Sequence, residues 1–157
     1  MSPPMNAENF EEDSRRGHER LIAYWEQLKG DKEFPEEKDI DTEAIADLWN
    51  SCFLLNTQKE GDGAFHYEFM GPSLIEAYGS DLTGQKHDEN TEPNIASIFE
   101  SFGKIVAEKE YIVDESEFTN AHGQNVKYRA CLVPFGSAPD EVKYIIGLMR
   151  WIYSESS

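Results

Sequence analysis

A chain of 157 residues is long enough for one domain with a sizeable core, and its 39% hydrophobic and 12% aromatic residues supply the material for one. Asp and Glu outnumber Lys and Arg by 31 to 14, a formal net charge of -17, so the surface repels phosphate backbones and anionic headgroups, which argues against nucleic acid and membrane partners. No run reaches the ~18 apolar residues that cross a bilayer, and MSPPMNAENFEEDS has neither a basic start nor an apolar centre; the reading is a cytoplasmic protein whose Cys52 and Cys131 are reduced core thiols.

Residues 1–13 read as an acidic disordered tail, 14–40 as a flanking helix with its connector, and 41–157 as the main domain. In SRRGHERLIAYWEQLKG, Leu21, Tyr24, Trp25 and Leu28 recur at i, i+3, i+4 and i+7, which predicts a helix over Ser14 to Lys29 with one apolar stripe and Gly30 as its stop. A charged connector containing Pro35 follows. DTEAIADLWN then predicts a shorter helix, capped by Asp41 or Thr42, with Ile45, Leu48 and Trp49 on one side.

Next the period changes to two. SCFLLNT and AFHYEFMG, joined by KEGDG, predict an antiparallel hairpin in which Phe65, Tyr67 and Phe69 alternate with His66, Glu68 and Met70. Pro72 and Ser73 open a short helical stretch, SLIEAYG, which Gly79 closes. The strongest helix is PNIASIFESFGKIVAEKE, where Ile95, Ile98, Phe99, Phe102, Ile105 and Val106 make a continuous apolar face. YIVDESEFTN, VKYRACLVPF and KYIIGLMRWIY, separated by the turn signals AHGQ and GSAPDE, predict three more strands in an antiparallel meander.

Residues that carry chemistry are sparse. His87, Asp88, Glu89 and Glu92 fall close together but neither alternate oxygen ligands nor supply a sharp glycine turn, so KHDEN reads as a solvated loop with an exposed histidine, and no metal is expected. His18 and His122 stand alone, Ser73 reads as a helix cap, and no nucleophile elbow or phosphate loop is present, so no catalytic residue is assigned. The aromatic residues remain. If Phe65, Tyr67 and Phe69 face the long helix, they meet Phe99 and Phe102 beside Tyr128, and this cluster is either a ligand-binding pocket with phenols for orientation or a closed core.

The last strand is apolar on both faces, with Tyr144, Ile146 and Leu148 on one and Ile145, Met149, Trp151 and Tyr153 on the other. The long helix can cover only one. The stripe of Leu21, Tyr24, Trp25 and Leu28 is therefore expected to form an interface with the strand, around Met149 and Trp151, in the same chain or in a second one as a homodimer.

Two hairpin strands, a short helical crossover, a longer helix and a three-stranded meander form an order that resembles a PAS domain. A sharper resemblance is to small bacterial stand-alone PAS proteins, carried by His18, Tyr24, Trp25, Pro35, Asp39-Ile40-Asp41, FLL at Phe53 to Leu55, FHYEFMG, and AYGSDLTG with Tyr78, Gly79, Asp81, Leu82, Thr83 and Gly84. It spans roughly residues 18 to 153, with an unusually acidic connector, KGDKEFPEEKD, and with Pro72 after Gly71 as departures. It implies an α+β fold: a five-stranded antiparallel sheet in the order 2-1-5-4-3, a long crossover helix and an N-terminal flanking helix. It also implies a non-catalytic signalling or adaptor module that works through a protein partner, with homodimerisation through the flanking helix and a small ligand in the aromatic pocket as further expectations. A small enzyme or a metabolite carrier using the same pocket is the alternative. Haem-binding PAS domains offer a histidine on or near the long helix and flavin photosensors a reactive cysteine in an Asn-Cys-Arg-Phe-like run. The long helix here has neither, and LTGQKHDEN does not resemble the flavin motif, so no cofactor is expected.

Overall fold

The computed structural model describes residues 7–57, 65–88, 91, 93, 95–138 and 141–154. Helix α1 (Ala7–Lys29) leads through short 3-10 turns (Glu37–Asp39, Thr42–Ile45) into α2 (Ala46–Trp49); strands β1 (Cys52–Asn56) and β2 (Phe65–Met70), helix α3 (Pro72–Tyr78) and strand β3 (Lys86–His87) follow. The long helix α4 (Ala96–Glu108) then precedes β4 (Ile112–Thr119), β5 (Asn125–Ala138) and β6 (Glu141–Tyr153). Asp41 is the cap of the second 3-10 turn, its side chain accepting a hydrogen bond from the Glu43 N–H. The first helix begins at Ala7 rather than Ser14, so part of the stretch read as a tail is helical.

All strands belong to one antiparallel sheet in the order β3-β2-β1-β6-β5-β4. The five longer strands follow the expected 2-1-5-4-3 order, and the two-residue β3 adds a sixth at the β2 edge, pairing Phe65 with His87. KEGDG and the Glu89 and Glu92 positions lie outside the described residues.

Register divides the side chains into two layers. On β6, Ile145, Gly147, Met149 and Trp151 point with Leu55, Phe53, Ala130 and Tyr128 to the inner side, where α3 and α4 lie. Tyr144, Ile146, Leu148 and Arg150 point to the outer side. α1 lies on that outer side, because a Cβ on its Gly17 would come within 3.1 Å of Leu148. Leu21 and Trp25 are buried there, and the Trp25 indole N–H donates to the Pro134 carbonyl at 2.7 Å. The apolar stripe of α1 is thus satisfied in cis. Covering both faces of β6 explains why this strand reads as a continuous apolar run.

The connector is fixed to the same layer. Phe34 is buried against Gly136, where a Cβ would meet its ring at 2.2 Å, and the Gly136 N–H donates to the Pro35 carbonyl at 3.1 Å. Only glycine lets an aromatic ring seat this closely on a strand. Gly147 does the equivalent inside, its missing side chain replaced by the Phe53 ring.

Cys52 and Cys131 both pair with Leu148, from opposite sides of β6. Two steps of the ~4.8 Å strand spacing put them ~10 Å apart, beyond the ~7 Å reach of a disulfide. Both thiols are free and buried.

Candidate functional site

The inner layer gathers most of the aromatic residues expected to form a pocket. Phe102 of α4 meets Phe53 at 5.9 Å and Phe65 at 5.3 Å between ring centroids, and Phe65 meets Phe99 at 6.1 Å. Tyr67 meets Phe53 at 5.7 Å, and Tyr128 meets Phe118 at 5.8 Å. These are edge-to-face and tilted contacts between touching rings, the arrangement of a filled core.

Phe69 departs from the expectation that it shares a face with Phe65 and Tyr67. The register shifts between Leu54 and Leu55: Leu55 pairs with Tyr67 but Leu54 pairs with Phe69, leaving Glu68 as the extra residue of a β-bulge. The bulge reverses the alternation, and Phe69 turns outward to stack on Trp49 with centroids 4.9 Å apart.

His87 departs too. The histidine expected in a solvated loop is 2% exposed, because β3 pairs onto β2 and carries its ring under α4. The ring lies 5.3 Å from both Phe99 and Phe102, and its Nδ1 shares a 2.9 Å hydrogen bond with the Tyr67 hydroxyl. Burial lowers its pKa to about 4, so at neutral pH the imidazole is uncharged. The Tyr78 hydroxyl is buried beside Tyr67 without a well-formed hydrogen bond of its own. Burial pushes both phenols well above the usual tyrosine range.

A second polar link sits across the layer. The Tyr128 hydroxyl and the Ser97 hydroxyl of α4 both donate to Asp114 of β4 at 2.5 Å, one to each carboxylate oxygen. Burial, then the Asp114 carboxylate, raise the Tyr128 pKa. Together these links tie β2, β3, β4, β5 and α4 with hydrogen bonds inside an aromatic layer, which specifies one arrangement of the layer.

The expected interface residues are split between the layers. Leu21 and Trp25 are buried outside, Leu28 packs half-buried beside them, and the Tyr24 hydroxyl donates to the Asp41 carbonyl at 3.0 Å. Met149 and Trp151 face the other way: Met149 is buried, and the Trp151 indole donates to the Ser73 hydroxyl on α3 at 3.0 Å. Strand parity causes this, since it is Leu148 and Arg150 that face α1. Sequence reasoning missed Phe34 and the outward pair Trp49–Phe69; the only signals for these were an aromatic beside Pro35 and the register of a hairpin that residue alternation does not report.

A PAS domain family model matches residues 14–150. The chain belongs to the PAS domain family. Among solved structures, the domain resembles a Rhodobacter sphaeroides LOV protein, with a TM-score of 0.51 and 10% identity over 71% of this chain and 68% of that one. A structure described under the words flavin analogue and light-oxygen-voltage domain mechanism gives 0.53 and 11% identity over 72% and 84%. The Erythrobacter litoralis EL346 blue-light-activated histidine kinase gives 0.51 and 12% identity over 72% of this chain and 37% of that one. At such identities the likeness shows the fold. No curated protein matches the chain.

The residues of this PAS domain do not suit a flavin of the kind one of those structures names. The inner layer between sheet and α4 is filled by Phe53, Phe65, Phe102 and Tyr67 in ring contact. Cys52 and Cys131 sit at strand positions that pair with the outward-facing Leu148, so neither thiol points to that layer. Burial pushes both thiols up to about 12, so neither is a thiolate at neutral pH. Among the described residues no group of three or more His, Cys, Asp and Glu could hold a metal ion, and no helix is long and apolar enough to cross a membrane.

Proposed function

We propose that this PAS domain is a non-catalytic sensory and adaptor module of the cytoplasm that works through contact with a protein partner and carries no resident cofactor. The observation that supports this reading is the inner layer, where the rings of Phe53, Phe65 and Phe102 pack against one another and Tyr67 is hydrogen-bonded to His87. The proton-carrying groups of that layer are also sealed from solvent, Tyr67 at 1% and His87 at 2% exposure, which argues against an enzyme that must admit a substrate to them. With the Leu21 and Trp25 stripe buried on its own sheet, α1 does not offer that stripe to a second chain, so the reading favours a partner of a different sequence over a homodimer.

Native mass spectrometry together with an absorbance spectrum tests the reading on protein purified from a rich medium. The expected result is the mass of the bare chain and absorption from aromatic residues only. A stoichiometric flavin or haem band, or a retained metabolite, contradicts it.

A further inference from the structure

The outer face of the sheet is covered unevenly. α1 lies over β5 and β6, while β1 and β2 keep a recess of about 310 Å³ lined by Ile40, Trp49, Leu54, Tyr144 and Ile146 with Glu37 and Glu68. Its floor is apolar and half-buried, and one wall is Trp49, which stacks on the Phe69 that the bulge at Glu68 turns outward. The Asn56 amide donates to the Glu68 carboxylate at 3.0 Å and orients it.

We propose that this recess is a docking site for a basic amphipathic segment of the partner protein, one that sets an apolar side chain on Leu54 and the Trp49–Phe69 stack and a Lys or Arg at Glu37, Glu68 and the Tyr144 ring. The inference rests on the reading of the chain as a module that works through protein contacts. Charge selects the occupant. The net charge of -17 attracts a cationic segment over long range, and the rim carboxylates receive it, Glu68 directly and Glu37 in exchange for the Lys143 ammonium it now pairs. The chain already displays the local chemistry, since its own Lys143 ammonium lies 3.5 Å from Glu37 and 5.4 Å from the centre of the Tyr144 ring. A second copy of the chain brings the same acidic rim to the contact and is disfavoured for the same reason.

The test uses two synthetic helical peptides with the same leucine pattern, one with lysines and one with glutamates on the polar face, titrated into the full chain while tryptophan fluorescence is followed. The lysine peptide is expected to bind with a salt-weakened affinity and the glutamate peptide not to bind. Charge reversal at the rim, Glu37→Lys with Glu68→Lys, is expected to weaken binding at least about tenfold. Far-UV circular dichroism checks that the variant keeps its fold, and Glu100→Lys with Glu108→Lys on the exposed α4 surface, the same change in net charge, serves as the control, expected to leave affinity nearly unchanged. Equal weakening by the control overturns the site, because the attraction is then a property of the whole surface. Light scattering that shows a dimer lost on Leu54→Lys overturns it in favour of a second copy. A chromophore found in the purified protein would sink the cofactor-free reading of the domain, whereas peptide binding indifferent to Glu37 and Glu68 sinks only the docking site.

Discussion

The two faces of the sheet solve the same problem in opposite ways. Leu148 and Met149 are adjacent and both fully buried, yet one lies under α1 and the other faces α3 and α4. Inside, aromatic rings in contact and two hydrogen-bonded polar links pack the layer between sheet and α4. Outside, α1 and the connector around Phe34 cover β5 and β6 and leave Trp49, Leu54, Phe69 and Tyr144 half-buried beside them. The comparison teaches why our proposal places recognition on the incompletely covered exterior of this PAS domain and not in its ring-packed interior.

The largest expected effect breaks the comparison most sharply. Phe102→Ala removes a ring with no exposure and should cost about 3–5 kcal/mol in chemical denaturation, whereas Phe69→Ala, on the half-buried outer wall, should cost about 1–2 kcal/mol. Equal losses would mean that the outer aromatics are core.

A pH series sharpens the interior side. The His87 imidazole has a folded pKa of about 4 against an ordinary 6.5, so between those values the unfolded chain takes up a proton that the folded chain refuses. The stability this neutral, buried ring contributes is fully present above pH 6.5 and falls by up to about 3 kcal/mol as pH drops towards 4. His87→Gln lacks this term while keeping the carboxylates, so the gap between wild type and variant should narrow from pH 7 to pH 4.5. A gap independent of pH would place His87 in water. His18, on the sheet-facing side of α1 with its Nε2 3.3 Å from the Arg129 carbonyl, has its pKa lowered to about 4, by burial first and then by Arg129, and should behave the same way.

How α1 holds the covered half can be separated into ring and hydrogen bond. Trp25→Phe keeps apolar bulk but loses the N–H bond to Pro134, and should cost about 1–2 kcal/mol; Trp25→Ala should cost about 3–5 kcal/mol. If both substitutions are silent, α1 is not docked in cis.

The elements and most of the burial pattern could be read in the sequence because each depends on local periodicity, 2 in FHYEFMG and KYIIGLMRWIY and 3.6 in SRRGHERLIAYWEQLKG and SIFESFGKIVAE, whereas the strand order was implied by the resemblance to PAS domains. What could not be read depends on pairing between distant segments. His87 is flanked by charges and looks exposed until β3 pairs with β2. Phe69 belongs with Tyr67 by alternation and leaves it because of one bulged residue. Met149 and Trp151 were assignable to a face, but not to the helix covering that face. Phe34 is isolated among charges, and only the bare Gly136 backbone opposite explains its burial.

The smallest effect concerns the thiols, which should leave stability untouched. Cys52 and Cys131, buried with thiols pushed up to about 12, should react slowly with a thiol reagent in the native protein at pH 7, and both should titrate once it is denatured without reductant. A denatured chain with no free thiol contradicts the order β1-β6-β5.

The most direct test of the closed interior and the open exterior is a methyl-detected NMR titration of the full chain with indole, a small aromatic probe that either layer would accept if it had room. The account predicts shifts at Ile40, Leu54 and Ile146 of the outer recess, with Leu55, Ile98 and Ile105 inside unmoved. Shifts centred on Leu55, Ile98 and Ile105 would show that the inner aromatic layer opens to a ligand, and would contradict it.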